Sequence, residues 1–297
     1  MPFFFHTELN RKFIRRIHPL LLLILFTILI GMIFSCAAPT RFYLTQTSQQ
    51  IKNDSWRSDS LLYVYLMEGS QYQTPIFHFK NEGEGASVII LGGTHGNEPA
   101  GFEAAYRLIQ QFSNAKLKTG EIFIIPEANR VADSLNSRRI SVPKGIDIEK
   151  GNLNRCYPGN PDGLPMEQLA HQITQFIRDH NIDLFLDLHE SPKFHLESRD
   201  EKGSYKGLGQ TLIYTPNDEA TWLAMVVADE MNSTIFEKMK QFSLVERPIE
   251  SSAAWSAGKH FGIPAFTVET CKQLPLEERV EYQVRIVNII LREKGII

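Results

Sequence analysis

Four short segments, far apart in the chain, carry polar side chains at places where an apolar pattern stops. Gly92-Gly93-Thr94-His95-Gly96-Asn97-Glu98-Pro99 sets a histidine and a glutamate three residues apart on a glycine-rich turn, where both can point at one ion such as zinc. Glu98 stands in the capping position ahead of Pro99, where glutamate is not preferred, so its carboxylate is expected to do something else. The apolar run from Ile182 ends in Asp187-Leu188-His189, and strand alternation puts Asp187 and His189 on one face at the carboxyl edge, where open α/β sheets build their sites. Asp187 can orient a ligand histidine or cap a neighbouring loop. Ile263 to Val268 is a second such strand stopping at Glu269, and Gly151 to Gly159 contains Asn154-Arg155, a pair suited to gripping a carboxylate through parallel hydrogen bonds. Each pattern alone also has an ordinary structural explanation: a helix start, a satisfied histidine, a solvated carboxylate, a surface salt bridge.

The elements that must position these groups follow from periodicity. Runs rich in β-branched residues at 87–91, 122–125, 182–188, 211–214 and 264–268 predict buried strands. Apolar spacings of three and four predict helices over 99–112, 165–180, 220–240 and 276–294. Their order predicts an α/β fold, with a mixed, mostly parallel β-sheet flanked by helices. Residues 127–163 show no sustained period and are too long for an ordinary connection; because they hold Arg138, Arg139, Asn154 and Arg155, a functional loop is expected.

Taken together, Gly-Thr-His95-Gly-Asn-Glu98, Asn129 with Arg138 nine residues on, Leu-Asn154-Arg155, Asp187-Leu-His189 and Thr-Val-Glu269 resemble the zinc carboxypeptidase clan, most closely its succinylglutamate desuccinylase/aspartoacylase branch. The resemblance implies one zinc ion held by His95, Glu98 and His189, with a fourth position for water. It implies Glu269 as general base, Arg138 as the group stabilising the oxyanion, with Arg139 its neighbouring rival, and Asn154 and Arg155 holding the carboxylate of a small-molecule or peptide substrate. The expected reaction is hydrolysis of an amide beside that carboxylate. Other readings are a carboxypeptidase acting on cell-wall peptides and an inactive tethered binding module.

Two departures stand out. The 28 residues after Glu269 read as one amphipathic helix where the deacylase branch has a β-rich domain closing the pocket, so a more open groove is expected. The family's Asp-Leu-Asn-Arg is Asn152-Leu153-Asn154-Arg155 here. Cys156 and Cys271 are expected as isolated buried thiols near the site.

Residues 1–35 carry Arg11, Lys12, Arg15 and Arg16 against Glu8, a net +3, which leaves −6 for the remainder and no footprint for nucleic acid. The basic start, the apolar stretch Pro19–Phe34 and Ser35-Cys36-Ala37-Ala38 read as an export signal, with Cys36 as a lipidated residue or the stretch as a membrane anchor. The expected organisation is a signal over 1–35, a tether and N-terminal extension over 36–84, and a zinc-dependent catalytic domain over 85–297, facing the cell envelope or periplasm.

Overall fold

The computed structural model describes residues 62–197 and 207–297. The signal or anchor and Cys36 lie outside the described residues, among which no helix is long and apolar enough to cross a membrane. The strands are β1 (Leu62–Leu66), β2 (Thr74–Lys80), β3 (Ser87–Leu91), β4 (Glu121–Ile125), β5 (Leu184–Ser191), β6 (Thr211–Tyr214), β7 (Ser243–Glu246) and β8 (Ala265–Cys271). The helices are α1 (Pro99–Ser113), α2 (Arg130–Ser134), α3 (Pro165–Asp179), α4 (Asp218–Asn232), α5 (Ala253–Phe261) and α6 (Leu276–Glu293). One eight-stranded sheet runs β1-β2-β4-β3-β5-β8-β6-β7. Its centre, β4-β3-β5-β8, is parallel, and antiparallel pairs flank it. The mixed, mostly parallel α/β fold expected from the sequence is the one observed.

Alternation along the central strands feeds two apolar layers. Val88, Ile90, Leu186, Leu188, Phe266 and Val268 pack against α1, α4 and α6. Ile89, Leu91, Phe185 and Ala265 pack against α3, α5 and the loop residues Ile140, Leu153 and Tyr157. Each fully buried aliphatic or aromatic side chain contributes about 1.5–3 kcal/mol, but β5 is apolar on both faces up to Leu186, so burial alone leaves its register loose. The polar end of the strand removes that freedom: a slip by one residue would turn Asp187 and His189 into the α1 layer, away from every hydrogen-bonding partner they have.

Three parts of the chain differ from the periodicity reading. The extension contributes β1 and β2, a hairpin on the sheet edge: β1, Leu-Tyr-Val-Tyr-Leu, leaves Tyr63 and Val64 exposed, and the apolar residues of β2 are interrupted by His78. The helix expected over 220–240 stops at Asn232, whose side chain bonds both the N–H and the carbonyl of Phe242, folding the chain back into β7. Helix α5 was not foreseen, although Ser252 caps its start and Gly262, at φ +72°, ends it.

Candidate metal centre

The turn from β3 into α1 is tight because of glycine. Gly93 sits at φ +67°, and a Cβ on Gly96 would fall 2.0 Å from the Ala132 carbonyl carbon of α2. Glu98 occupies the N-cap of α1 without making a capping bond, as its residue type foretold. Its carboxylate lies against both histidines instead: His95 Nδ1 is 2.9 Å from Oε1 and His189 Nδ1 is 2.8 Å from Oε2, while the Glu190 N–H donates to Oε2 at 3.1 Å. Glu190 in turn accepts from the Ala100 N–H and from Arg279 of α6, so the end of β5 is fastened to the start of α1.

The sheet supplies the other two groups. In the parallel ladder of β5 and β8, His189 is the register partner of Glu269, and alternation turns both toward the layer of α3 and α5. Asp187, two residues before, accepts from His189 Nε2 at 2.8 Å and from the Thr94 hydroxyl at 2.8 Å.

Hydrogen bonding fixes how each imidazole is presented. An aspartate carboxylate only accepts, so His189 Nε2 carries a proton. On His95, Nε2 faces Asn152 Oδ1 at 3.0 Å, an oxygen that also takes the Asn154 N–H at 3.1 Å, so this nitrogen is protonated too. Both Nδ1 atoms therefore face inward, 3.1 Å from each other. The three residues are at most 3% exposed, and their ligand atoms lie within 4.8 Å of one another. Tetrahedral ligands about 2.0–2.2 Å from zinc stand about 3.4 Å apart, so the observed 2.8–3.1 Å needs only a slight outward adjustment. Two imidazoles backed by acceptors and one carboxylate fit zinc in donor type and in presentation.

The charges reinforce this picture. Burial would lower His189, yet Asp187 and Glu98 raise it well above the ordinary histidine value, whereas burial lowers His95. Burial would raise Glu98, but the two histidines hold it well below the usual carboxylate range. For Glu269 burial wins: its carboxyl is pushed up to about 8, with His189 opposing and Glu98 adding to the rise. Glu269 Oε2 is buried with no hydrogen-bond partner among the described residues, the state of a group waiting for a proton donor that arrives with substrate or water.

The loop over 127–163 brings its arginines to different places. Arg138 Nη1 reaches Glu98 Oε1 at 3.0 Å and His95 Nδ1 at 3.2 Å, at the cluster itself. Arg139 turns away to pair with Glu149. Arg155 is half-buried, donates to the Asn154 carbonyl at 2.6 Å and enters no ion pair among the described residues, with burial and the Arg138 charge lowering its pKa. Asn154 serves the framework: Oδ1 accepts the Ala253 N–H at 2.9 Å, and Nδ2 lies 3.3 Å from His189 Nε2. Asn129 caps α2. Cys156 and Cys271 are buried and free, as expected. Lys272, not foreseen, lies just past the end of β8; it donates to the Asn97 carbonyl at 2.6 Å and feels the charges of Glu98, Arg138 and Glu269. Its one sequence signal is a lysine three residues beyond the strand-end glutamate.

Residues 84–196 match the family model described as the succinylglutamate desuccinylase/aspartoacylase catalytic domain. That span holds every candidate site residue except Glu269, so the resemblance read from the motifs is borne out there. The chain is 36% identical over 107 residues to the N-alpha-acetyl-L-2,4-diaminobutyric acid deacetylase of Halomonas elongata, covering 36% of this chain and 29% of that protein. Among solved structures it is similar to the cell shape determinant Csd4 of Helicobacter pylori, a D,L-carboxypeptidase, with a TM-score of 0.64, 19% identity, and coverage of 75% of this chain and 55% of that one. An aspartoacylase family protein from Mesorhizobium loti gives a TM-score of 0.55 at 24% identity, over 76% of this chain and 62% of that one. The chain thus spans less than two thirds of each of these proteins. The likeness is to a deacylase catalytic domain over residues 84–196 and, in fold, to Csd4 and an aspartoacylase family protein.

Proposed function

We propose that the chain is a zinc-dependent hydrolase that cleaves an amide bond next to a carboxylate-bearing group. The supporting observation is the convergence of His95 and His189, both with Nδ1 facing the Glu98 carboxylate and Nε2 held from behind, beside a buried Glu269 oxygen with no hydrogen-bond partner among the described residues. His95, Glu98 and His189 would hold the metal. Bound there, zinc supplies Lewis acidity, drawing electron density from the substrate carbonyl and lowering the pKa of water to about 7. The chain's own groups do the rest. Glu269 Oε2 takes a proton from the attacking water and returns it to the nitrogen as the C–N bond breaks, so amide plus water gives a carboxylic acid and an amine; such proton transfer is worth about 10²–10⁴ in rate. Arg138, already at the cluster, stabilises the charge developing on the carbonyl oxygen. Arg155, which has no carboxylate ion-pair partner among the described residues, grips the substrate carboxylate and fixes which bond is presented.

Two substrate classes fit. The family match and the deacetylase relative support an N-acylated amino acid. The fold likeness to the D,L-carboxypeptidase Csd4, for which mDAP-bound and tripeptide-bound structures exist, supports the end of a cell-wall peptide. The sequence of residues 1–38 supports an exported protein tethered through Cys36 or its apolar segment. Metal analysis and turnover on N-acyl amino acids and muropeptides test the reading. The expected result is about one zinc per chain and turnover that Glu269→Gln abolishes while keeping the zinc. A wild type that takes up no zinc refutes it, and a zinc-loaded wild type silent on every amide favours a binding module. Cell fractionation with mass analysis of the N-terminus tests the tether.

A further inference from the structure

The two histidines are held from behind by different chemistry. His189 has a carboxylate, Asp187, 2.8 Å from Nε2; His95 has the neutral carboxamide of Asn152 at 3.0 Å. An amide can present either end to a ring nitrogen, and the two presentations select opposite tautomers. With oxygen toward Nε2 the ring carries its proton there and leaves Nδ1 bare. With the NH₂ toward Nε2 the proton moves to Nδ1, the atom that faces Glu98.

The amide is not left to choose. Asn152 is completely buried, and its Nδ2 donates to Glu149 Oε2 at 2.8 Å, while the other oxygen of that carboxylate is occupied by Arg139. A carboxylate cannot donate, so it accepts only the NH₂ end and obliges Oδ1 to face His95. The Asn154 N–H at 3.1 Å favours the same orientation. We propose that Glu149, steadied by Arg139 and acting through the Asn152 carboxamide, is a positioning residue for His95 that keeps its Nδ1 free for a metal ion. The inference rests on the zinc reading of the site. It also gives a role to Arg139, which stands beside Arg138 in sequence yet points elsewhere, and to the asparagine at 152.

The test uses the full chain and the variants Glu149→Leu and Glu149→Gln. Glu149 is a partly exposed surface side chain, 41% accessible, so neither change removes core packing. The glutamine variant keeps one accepting oxygen, for which Arg139 and Asn152 compete, whereas leucine keeps none. Zinc affinity, measured by competition with a chromophoric chelator, should fall about tenfold for Glu149→Leu, the low end of the 10–100-fold loss on removing such supporting groups, and by less for Glu149→Gln. Nitrogen-15 spectra of the zinc-free protein, with the ring assigned through a His95→Asn variant, should show the proton on Nε2 in the wild type, a share on Nδ1 in Glu149→Leu, and a smaller share on Nδ1 in Glu149→Gln. Wild-type affinity and an unchanged tautomer in Glu149→Leu would overturn the relay and leave the zinc reading intact. A wild type without zinc affinity, but with the tautomer responding to Glu149→Leu, would uphold the relay geometry while the reading of the site fails.

Discussion

Zinc uptake should release protons, and the structure gives the number. In the metal-free site His189 lies between Asp187 and Glu98, with a pKa raised well above the ordinary value, so near pH 7 both of its nitrogens are protonated. Ligation through Nδ1 must expel one proton. His95 is held low and Glu98 is already ionised, so neither adds to the count. Glu269 does: with its carboxyl pushed up to about 8 it is about nine-tenths protonated at pH 7, and a divalent charge beside it favours the carboxylate. The chain's own groups therefore release close to two protons per zinc at pH 7, falling toward one above about pH 9, where Glu269 has already ionised. Because protons are lost on binding, affinity rises with pH, by roughly two decades per unit near neutrality and more gently above. Calorimetry in buffers of different ionisation enthalpy measures the count, and Glu269→Gln should lower it by about 0.9 at pH 7. Zinc binding that releases about one proton or fewer at pH 7 would refute the argument, since His189 would then be neutral in the metal-free protein.

Other changes separate the parts of the site. Arg155→Gln should raise KM for carboxylate-bearing substrates by about tenfold or more, as expected for losing a charge-assisted pair, with zinc content unchanged; an equal loss on substrates lacking the carboxylate would argue against the clamp. Arg279→Met leaves the fully buried Glu190 unpaired and should cost about 3–5 kcal/mol of stability, read as a lowered denaturation midpoint. Gly96→Ala drives a methyl into the backbone of α2 and should lower both thermal stability and zinc affinity, whereas the same change at Gly145, which has open space but a positive φ, should cost only the local strain of about 1 kcal/mol.

The central strands and most helices were legible because both faces of the sheet are buried and so record their period in the sequence. The edges were not: β1 and β2 mix exposed and buried positions, and the end of α4 is set by a side chain ten residues from its partner, Asn232 to Phe242, which no local window contains. The candidate ligands were legible for a different reason. Each stands where an apolar run breaks off, and Glu98 was conspicuous as a helix cap that does not cap. What stayed hidden were contacts across the fold. The neighbours Arg138 and Arg139 differ only in which carboxylate each meets, Glu98 or Glu149, and Asn152 acquires meaning only when His95 is found against it.

His189 and Glu269 are cross-strand neighbours in one hydrogen-bonded ladder. Strand spacing, about 4.8 Å, therefore governs their separation, and no hinge or closing flap has to bring them together. Breathing of the loop that carries Arg138 and Arg155 can change what enters without disturbing that distance. On warming, the capacity to hold an ion and the capacity to move a proton should vanish in a single step, at the temperature where the middle of the sheet comes apart.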